Sequence, residues 1–276
     1  MKLLPVLFMC SAFAVPAQTG TVKLPPQEKL KIYLMMGQSN MAGRGVPEAE
    51  DKTPHPRVLV FTQSNQWETA VEPLTLGEPK KTPGVGPGLA FAKAMADAHR
   101  EFTIGLVPCA VGGTPLRRWV KGGDLYENAV KRAQAAAAYG TIAGIIWHQG
   151  ESDSTKATNA NTYGERLTKM ISDIRKELKQ PNLPFVVGQI GEFGYDRLEN
   201  PKEFARPLNE TLAKLPETVP FTGCALSHGL TSKADFVHFD AKSQRELGQR
   251  YAVEMLKLEK RPRLRRGDSE RKLLSK

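Results

Sequence analysis

The sequence is poor in cysteine, in aromatic residues and in long apolar runs. Three cysteines, Cys10, Cys109 and Cys224, occur in 276 residues, too few for a disulfide framework. Cys109 and Cys224 either pair in an oxidising compartment or remain two buried thiols. Beyond the first 17 residues no stretch is long and apolar enough to cross a bilayer. There is no internal repeat, and the basic C-terminal end contains no aromatic residue, so it offers nothing on which bases would stack and gives no support to nucleic-acid binding. Nothing in the sequence signals an oligomeric state.

What is present begins with "MKLLPVLFMCSAFAVPA" (1–17), where Lys2 precedes an apolar segment ending in Val15-Pro16-Ala17. This reads as a cleaved secretory signal and predicts a secreted or periplasmic protein. Pro5 and Pro16 count against a buried helix, and "LFM" beside Cys10 is a poor site for lipid attachment. The chain is 40% hydrophobic, enough for one large core. The expected domain spans 28–258, followed by a basic, disordered tail over 259–276. Of the net charge of +10, +6 falls in Lys257 to Lys276, where nine Lys or Arg face Glu259, Asp268 and Glu270.

Short apolar runs at 31–36, 57–62, 103–111, 142–148, 184–190 and 220–226 read as buried strands. Between and after them lie helical patterns at 88–100, 124–140, 161–179, 203–215 and 241–258, with Asp124 and Asn161 as N-caps and Gly140 as a stop. The alternation predicts a three-layer α/β domain with a mainly parallel sheet. The Pro- and Gly-rich segment 78–88 reads as a surface loop. Such sheets bind ligands beyond the carboxyl ends of their strands. Ser39, Gly112-Gly113 and "HQGESD" (148–153) all follow apolar runs.

Ser39 lies in Gly37-Gln38-Ser39-Asn40-Met41, which lacks the last glycine of the G-x-S-x-G elbow. A serine in this place is ordinarily a helix cap, and it becomes a nucleophile only if a base takes its proton. Of five histidines, only His238 has an Asp three residues before it, in "DFVH". That spacing allows Asp235 to orient the imidazole, and equally allows it to cap the following helix. Backbone N–H groups of Ser39 and Gly112, with Gly113 beside it, and the side-chain amide of Gln149 are candidate oxyanion donors. Their ordinary roles are turns and loop support.

Taken together, "GQSNMAG", "AVGGT", "WHQGESD" and "DFVHF", in this order, resemble the signature blocks of the SGNH hydrolase superfamily. More narrowly they resemble carbohydrate esterase family 6 and the sialate O-acetylesterases, over about 31–251. The resemblance implies a flavodoxin-like α/β/α fold and a serine esterase that removes acetyl groups from sugars, with an acetylated oligo- or polysaccharide as substrate and no cofactor. It assigns Ser39 as nucleophile, His238 as base, Asp235 as orienting acid and Gly112 as oxyanion donor. Gln149 stands where the wider superfamily has asparagine.

Other residues admit two readings each. Glu151 supports His238 in place of Asp235, or braces its loop by accepting backbone hydrogen bonds, and Asn40 and Gly113 are further supporting candidates. Trp119 and Trp147 stack on a sugar ring, or pack in the core. Arg117 and Arg118 take an acidic sugar's carboxylate, or are solvated surface charge. His148, Glu151 and Asp153, with Asp235 and His238, could form a metal-dependent hydrolase site, although the spacing is weak for ligands. A non-catalytic carbohydrate-binding protein on the esterase scaffold is the remaining alternative.

Overall fold

The computed structural model describes residues 22–74, 82–195 and 203–261. The expected leader (1–17), residues 78–81 of the Pro- and Gly-rich segment, and the tail beyond residue 261 lie outside the described residues. Seven strands form one sheet: β1 (Leu30–Gly37), β2 (Val58–Phe61), β3 (Trp67–Thr69), β4 (Thr103–Pro108), β5 (Thr141–His148), β6 (Phe185–Gly188) and β7 (Thr222–Ala225). Their order is β3-β2-β4-β1-β5-β6-β7. All neighbours are parallel except β2 and β3. The hairpin to β3 was not expected; Asn65 turns it at φ 58°, a left-handed conformation that Asn tolerates.

The helices are α1 (Ser39–Ala42), α2 (Gly88–Ala98), α3 (Asp124–Ala137), α4 (Ala157–Asn161), α5 (Tyr163–Glu177), α6 (Ala205–Thr218) and α7 (Ala241–Glu259). Alternation along β1 divides the interior in two. Ile32, Leu34 and Met36 join the core under α3, α5 and α6, while Tyr33 and Met35 join the core under α2 and α7. The result is the three-layer α/β/α architecture with a mainly parallel sheet. Cap positions differ from the sequence reading. Gly123 is the N-cap of α3, with Asp124 as its first residue, and Asn161 ends α4 while Thr162 is the N-cap of α5. α3 stops before Gly140, which instead lies against Leu30.

No helix among the described residues is long and apolar enough to cross a membrane. Cys109 and Cys224 are both free and buried. Three strands separate β4 from β7, at ~4.8 Å per strand far more than a disulfide can span. Burial pushes their thiols up to about 11 and about 12, so both are inert at neutral pH.

From β1 the chain passes to β2 and β3 at one edge of the sheet, returns through α2 to β4 beside β1, then crosses by α3 to β5 on the other side of β1. That change of direction opens a crevice at the carboxyl ends around β1, the usual ligand position in such folds. The ends of β1, β4 and β5 all deliver polar residues there.

Candidate active site

The exit from β1 is a close approach of two backbones. Gly37 has φ 129°, and a Cβ on it would stand 2.1 Å from the His148 carbonyl oxygen, so only glycine fits. The Gln38 N–H then donates to that same carbonyl at 2.8 Å. Immediately afterwards the chain turns into α1, with Ser39 as its first residue. Ser39 is 6% exposed, at the rim and not in the interior.

The partner loop comes from the far end of the sequence. Phe236, at φ 53°, tightens the turn that brings Asp235 back to His238. Oδ1 of Asp235 accepts from the N–H groups of Val237 and His238, each at 2.9 Å, and Oδ2 faces His238 Nδ1 at 2.8 Å. On the other side of the ring, His238 Nε2 lies 2.9 Å from Ser39 Oγ. With Nδ1–H donated to a carboxylate, Nε2 carries the lone pair and accepts the Ser39 hydroxyl proton. Partial burial opposes ionisation of Asp235, but the hydrogen bonds from His238 and Val237 outweigh it and hold the carboxyl down at about 2. The capping role belongs to a different residue: Asp240 Oδ1 accepts from Ser243 N–H at 2.8 Å and starts α7.

Phe239, next to His238, is fully buried, its ring edge-on to those of His148 and Phe193 at 5.6 and 5.1 Å. It anchors the loop whose outer residues are exposed. Gly112 is buried in the turn after β4, and Gly113 beside it is exposed with φ 71°.

Gln149 departs from its expected place as an oxyanion donor. Its side chain is fully buried, and Nε2 lies among three acceptors: Asp153 Oδ2 at 2.7 Å, Gln38 Oε1 at 3.1 Å and the Thr114 carbonyl at 3.2 Å. An amide nitrogen has two hydrogens, so both are committed beneath the rim. Tyr163 donates to Gln149 Oε1 and lies 2.8 Å from it. Gln149 therefore ties the ends of β1, β4 and β5 together. Gln38, which the sequence reading passed over, is part of this brace and also accepts from Ser152 N–H at 3.3 Å. Its only sequence signal was its position between a strand-ending glycine and the serine.

The indoles of Trp119 and Trp147 are both fully buried, edge to face at 5.5 Å. They are core residues, which removes the expected stacking on sugar. Arg118 is engaged by Asp124, with Nε donating to Oδ1 at 2.9 Å, and Arg117 is exposed. His148 lies in the interior, its Nδ1 3.1 Å from the Tyr251 hydroxyl and its Nε2 3.6 Å from Glu151 Oε1. Glu151 faces Asn40 and not His238. The alternative metal set is not assembled: among the described residues no three His, Cys, Asp or Glu side chains are grouped to hold an ion. Asp153, its third expected ligand, instead accepts from Leu116 N–H, Gln149 and Arg166.

In sequence and in overall fold the chain is similar to known proteins. The family profile described as "Carbohydrate esterase, sialic acid-specific acetylesterase" matches residues 29–257. A probable carbohydrate esterase of Arabidopsis thaliana is 34% identical over 246 residues, covering 82% of this chain and 88% of the plant protein. A solved structure from Arabidopsis thaliana, 32% identical, superposes with a TM-score of 0.75 over 84% of this chain and 99% of that one. The NanS crystal structure has a TM-score of 0.65 at 16% identity, covering 85% of this chain and 98% of its own, and so shares the fold. On the profile match and the plant relative, this chain belongs to the carbohydrate esterase, sialic acid-specific acetylesterase family, and so to the carboxylic ester hydrolases.

Proposed function

We propose that the protein removes O-acetyl groups from carbohydrates by two-step acyl transfer at Ser39. The observation that carries this reading is the chain from Ser39 Oγ to His238 Nε2 at 2.9 Å and from His238 Nδ1 to Asp235 Oδ2 at 2.8 Å. A serine hydroxyl alone is a weak nucleophile. Here the imidazole stands ready to take its proton as Oγ attacks the acetyl carbonyl, and the Asp235 carboxylate stabilises the imidazolium that forms. Backbone N–H groups of Ser39 and Gly112 are the donors proposed for the oxyanion. The protonated imidazole then delivers its proton to the departing sugar oxygen, leaving an acetyl ester on Ser39. Water, deprotonated by the same imidazole, releases acetate and restores the hydroxyl.

Family membership supports a sugar ester as substrate, and the neighbouring structures include a carbohydrate acetylesterase from Xanthomonas citri. Acetylated xylan and acetylated sialic acids are the two substrate classes we put first. The leader-like residues 1–17 support a site of action outside the cytoplasm. Ser39→Ala tests the proposal. Acetate release from acetylated xylan, acetylated sialic acid and para-nitrophenyl acetate should fall by at least about 10⁴-fold, with the fold intact by circular dichroism. Wild-type release by a pure Ser39→Ala sample would overturn it.

A further inference from the structure

Beyond the hydroxyl, imidazole and carboxylate, we propose that Asn40 is a positioning residue that sets the place of His238 by gripping the backbone on both sides of it, and that Glu151 holds Asn40 in register. The proposal rests on the esterase reading for its catalytic consequence. Asn40 follows Ser39 directly and is fully buried. Its Oδ1 accepts from Phe239 N–H at 3.1 Å and from Gln244 Nε2 at 3.3 Å, and its Nδ2 donates to the Val237 carbonyl at 3.1 Å and to Glu151 Oε1 at 2.5 Å. Val237 and Phe239 are the residues either side of His238. A backbone N–H can only donate and a carbonyl can only accept, so this pair of contacts also fixes which way the amide faces.

The need for such a clamp follows from where His238 sits. Its loop is carried on a turn whose Asp235 and Phe236 are exposed, and Asp235 grips the ring from the solvent side. On that side the backbone is held by bonds that close the loop on itself, from the Val237 and His238 N–H groups to Asp235 Oδ1 and from the Lys233 N–H to the His238 carbonyl at 2.8 Å. The loop can still shift as a unit, and a misplacement of ~1 Å at a catalytic base can cost about 100-fold in rate. Asn40 restrains that shift from the interior. Because it is covalently next to Ser39, nucleophile and base are referenced to one rigid amide. A planar group with a donor and an acceptor is what the two backbone atoms require. Asp offers no donor and Leu offers neither. Glu151 is buried beside it, and its carboxylate holds Nδ2 in the plane that also reaches Val237. Glu151 thus stands one hydrogen bond away from the His238 loop.

The experiment uses the full chain, with para-nitrophenyl acetate as probe and proton NMR of the His238 Nδ1–H signal, assigned by its absence in His238→Ala. In Asn40→Ala, kcat should fall by about 100-fold while KM changes by less than about threefold. The Nδ1–H signal should broaden or vanish although thermal unfolding remains cooperative. Asn40→Asp, which keeps the oxygen facing Phe239 but sets an oxygen against Val237 and Glu151, should lose at least as much. Glu151→Gln retains an oxygen towards Asn40 and should lose less activity than Glu151→Ala. A folded Asn40→Ala with wild-type kcat and an unchanged Nδ1–H signal overturns the clamp and leaves the esterase reading standing. Equal, deep losses in Glu151→Gln and Glu151→Ala overturn the part given to Glu151, since charge and not placement would then be what counts. Activity surviving Ser39→Ala overturns the esterase reading instead, and the NMR signal alone then decides whether Asn40 places His238.

Discussion

At the upper rim of the sheet His238 stands between Ser39 and Asp235, at 2.9 and 2.8 Å. Near the opposite end Glu259 stands between Tyr33 and His99, at 2.7 and 2.6 Å. Both clusters hold one hydroxyl, one carboxylate and one imidazole, and the order of connection sets them apart. At the rim the hydroxyl faces a nitrogen lone pair with a carboxylate behind it, so its proton has somewhere to go. At the base the hydroxyl faces the carboxylate itself. Burial first, and then the charge and hydrogen bond of Glu259, push the Tyr33 hydroxyl well above its ordinary pKa. Its proton is locked in place. Lys31 adds a third contact to Glu259 at 3.6 Å, so the base cluster fastens the end of α7 to β1.

Three changes sharpen this contrast. Asp235→Asn should have the largest effect: with the carboxylate replaced by an amide the imidazole loses its tautomer and its countercharge, and kcat for para-nitrophenyl acetate should drop by about 10⁴-fold. A loss under tenfold would mean that another carboxylate does the work of Asp235. At the base, Glu259→Gln should leave kcat within about twofold of wild type but lower the unfolding free energy by about 1–3 kcal/mol, read from urea denaturation. A fall in kcat with unchanged stability would contradict the division of labour between the two ends.

The smallest effect is a pH dependence of stability. Asp235 has its folded-state pKa lowered to about 2, so its contribution is complete above its unfolded value of ~4 and is lost as pH falls through the folded value. The wild type should therefore lose stability more steeply between pH 4 and pH 2 than Asp235→Asn does. Parallel curves would show that the hydrogen bonds to Asp235 do not form in solution. The carboxylate is 41% exposed, which keeps the difference small.

Much of this was legible in the sequence because it depends on where elements end. The six apolar runs became the six parallel strands, and polar residues after β1, β4 and β5 came to one crevice. Ser39, Asp235 and His238 were candidates because the sequence holds only five histidines and the order of the motifs resembles a known pattern, and the fold brings the three within hydrogen-bond distance. What was not readable is the direction a side chain takes across a gap in sequence. Gln149 could have aimed its amide upward at the rim; instead Gln38, 111 residues away, and Asp153 draw it down. Trp119 and Trp147 lie next to the second and third motifs in sequence, yet they face each other in the core. Asn40 looked like one more residue of a serine motif. Its role became visible only once Val237 and Phe239, nearly two hundred positions on, closed around it.

The central claim is that Ser39 carries the acetyl group between the two halves of the reaction. Quenching the full-length protein in acid during turnover of para-nitrophenyl acetate, then mapping its peptides by mass spectrometry, tests this directly. An acetyl group on the Ser39 hydroxyl, absent from His238→Ala, is the predicted result. Active protein whose acetyl group sits on a different residue, or that turns over with none on any residue even when deacylation is slowed, would contradict the account.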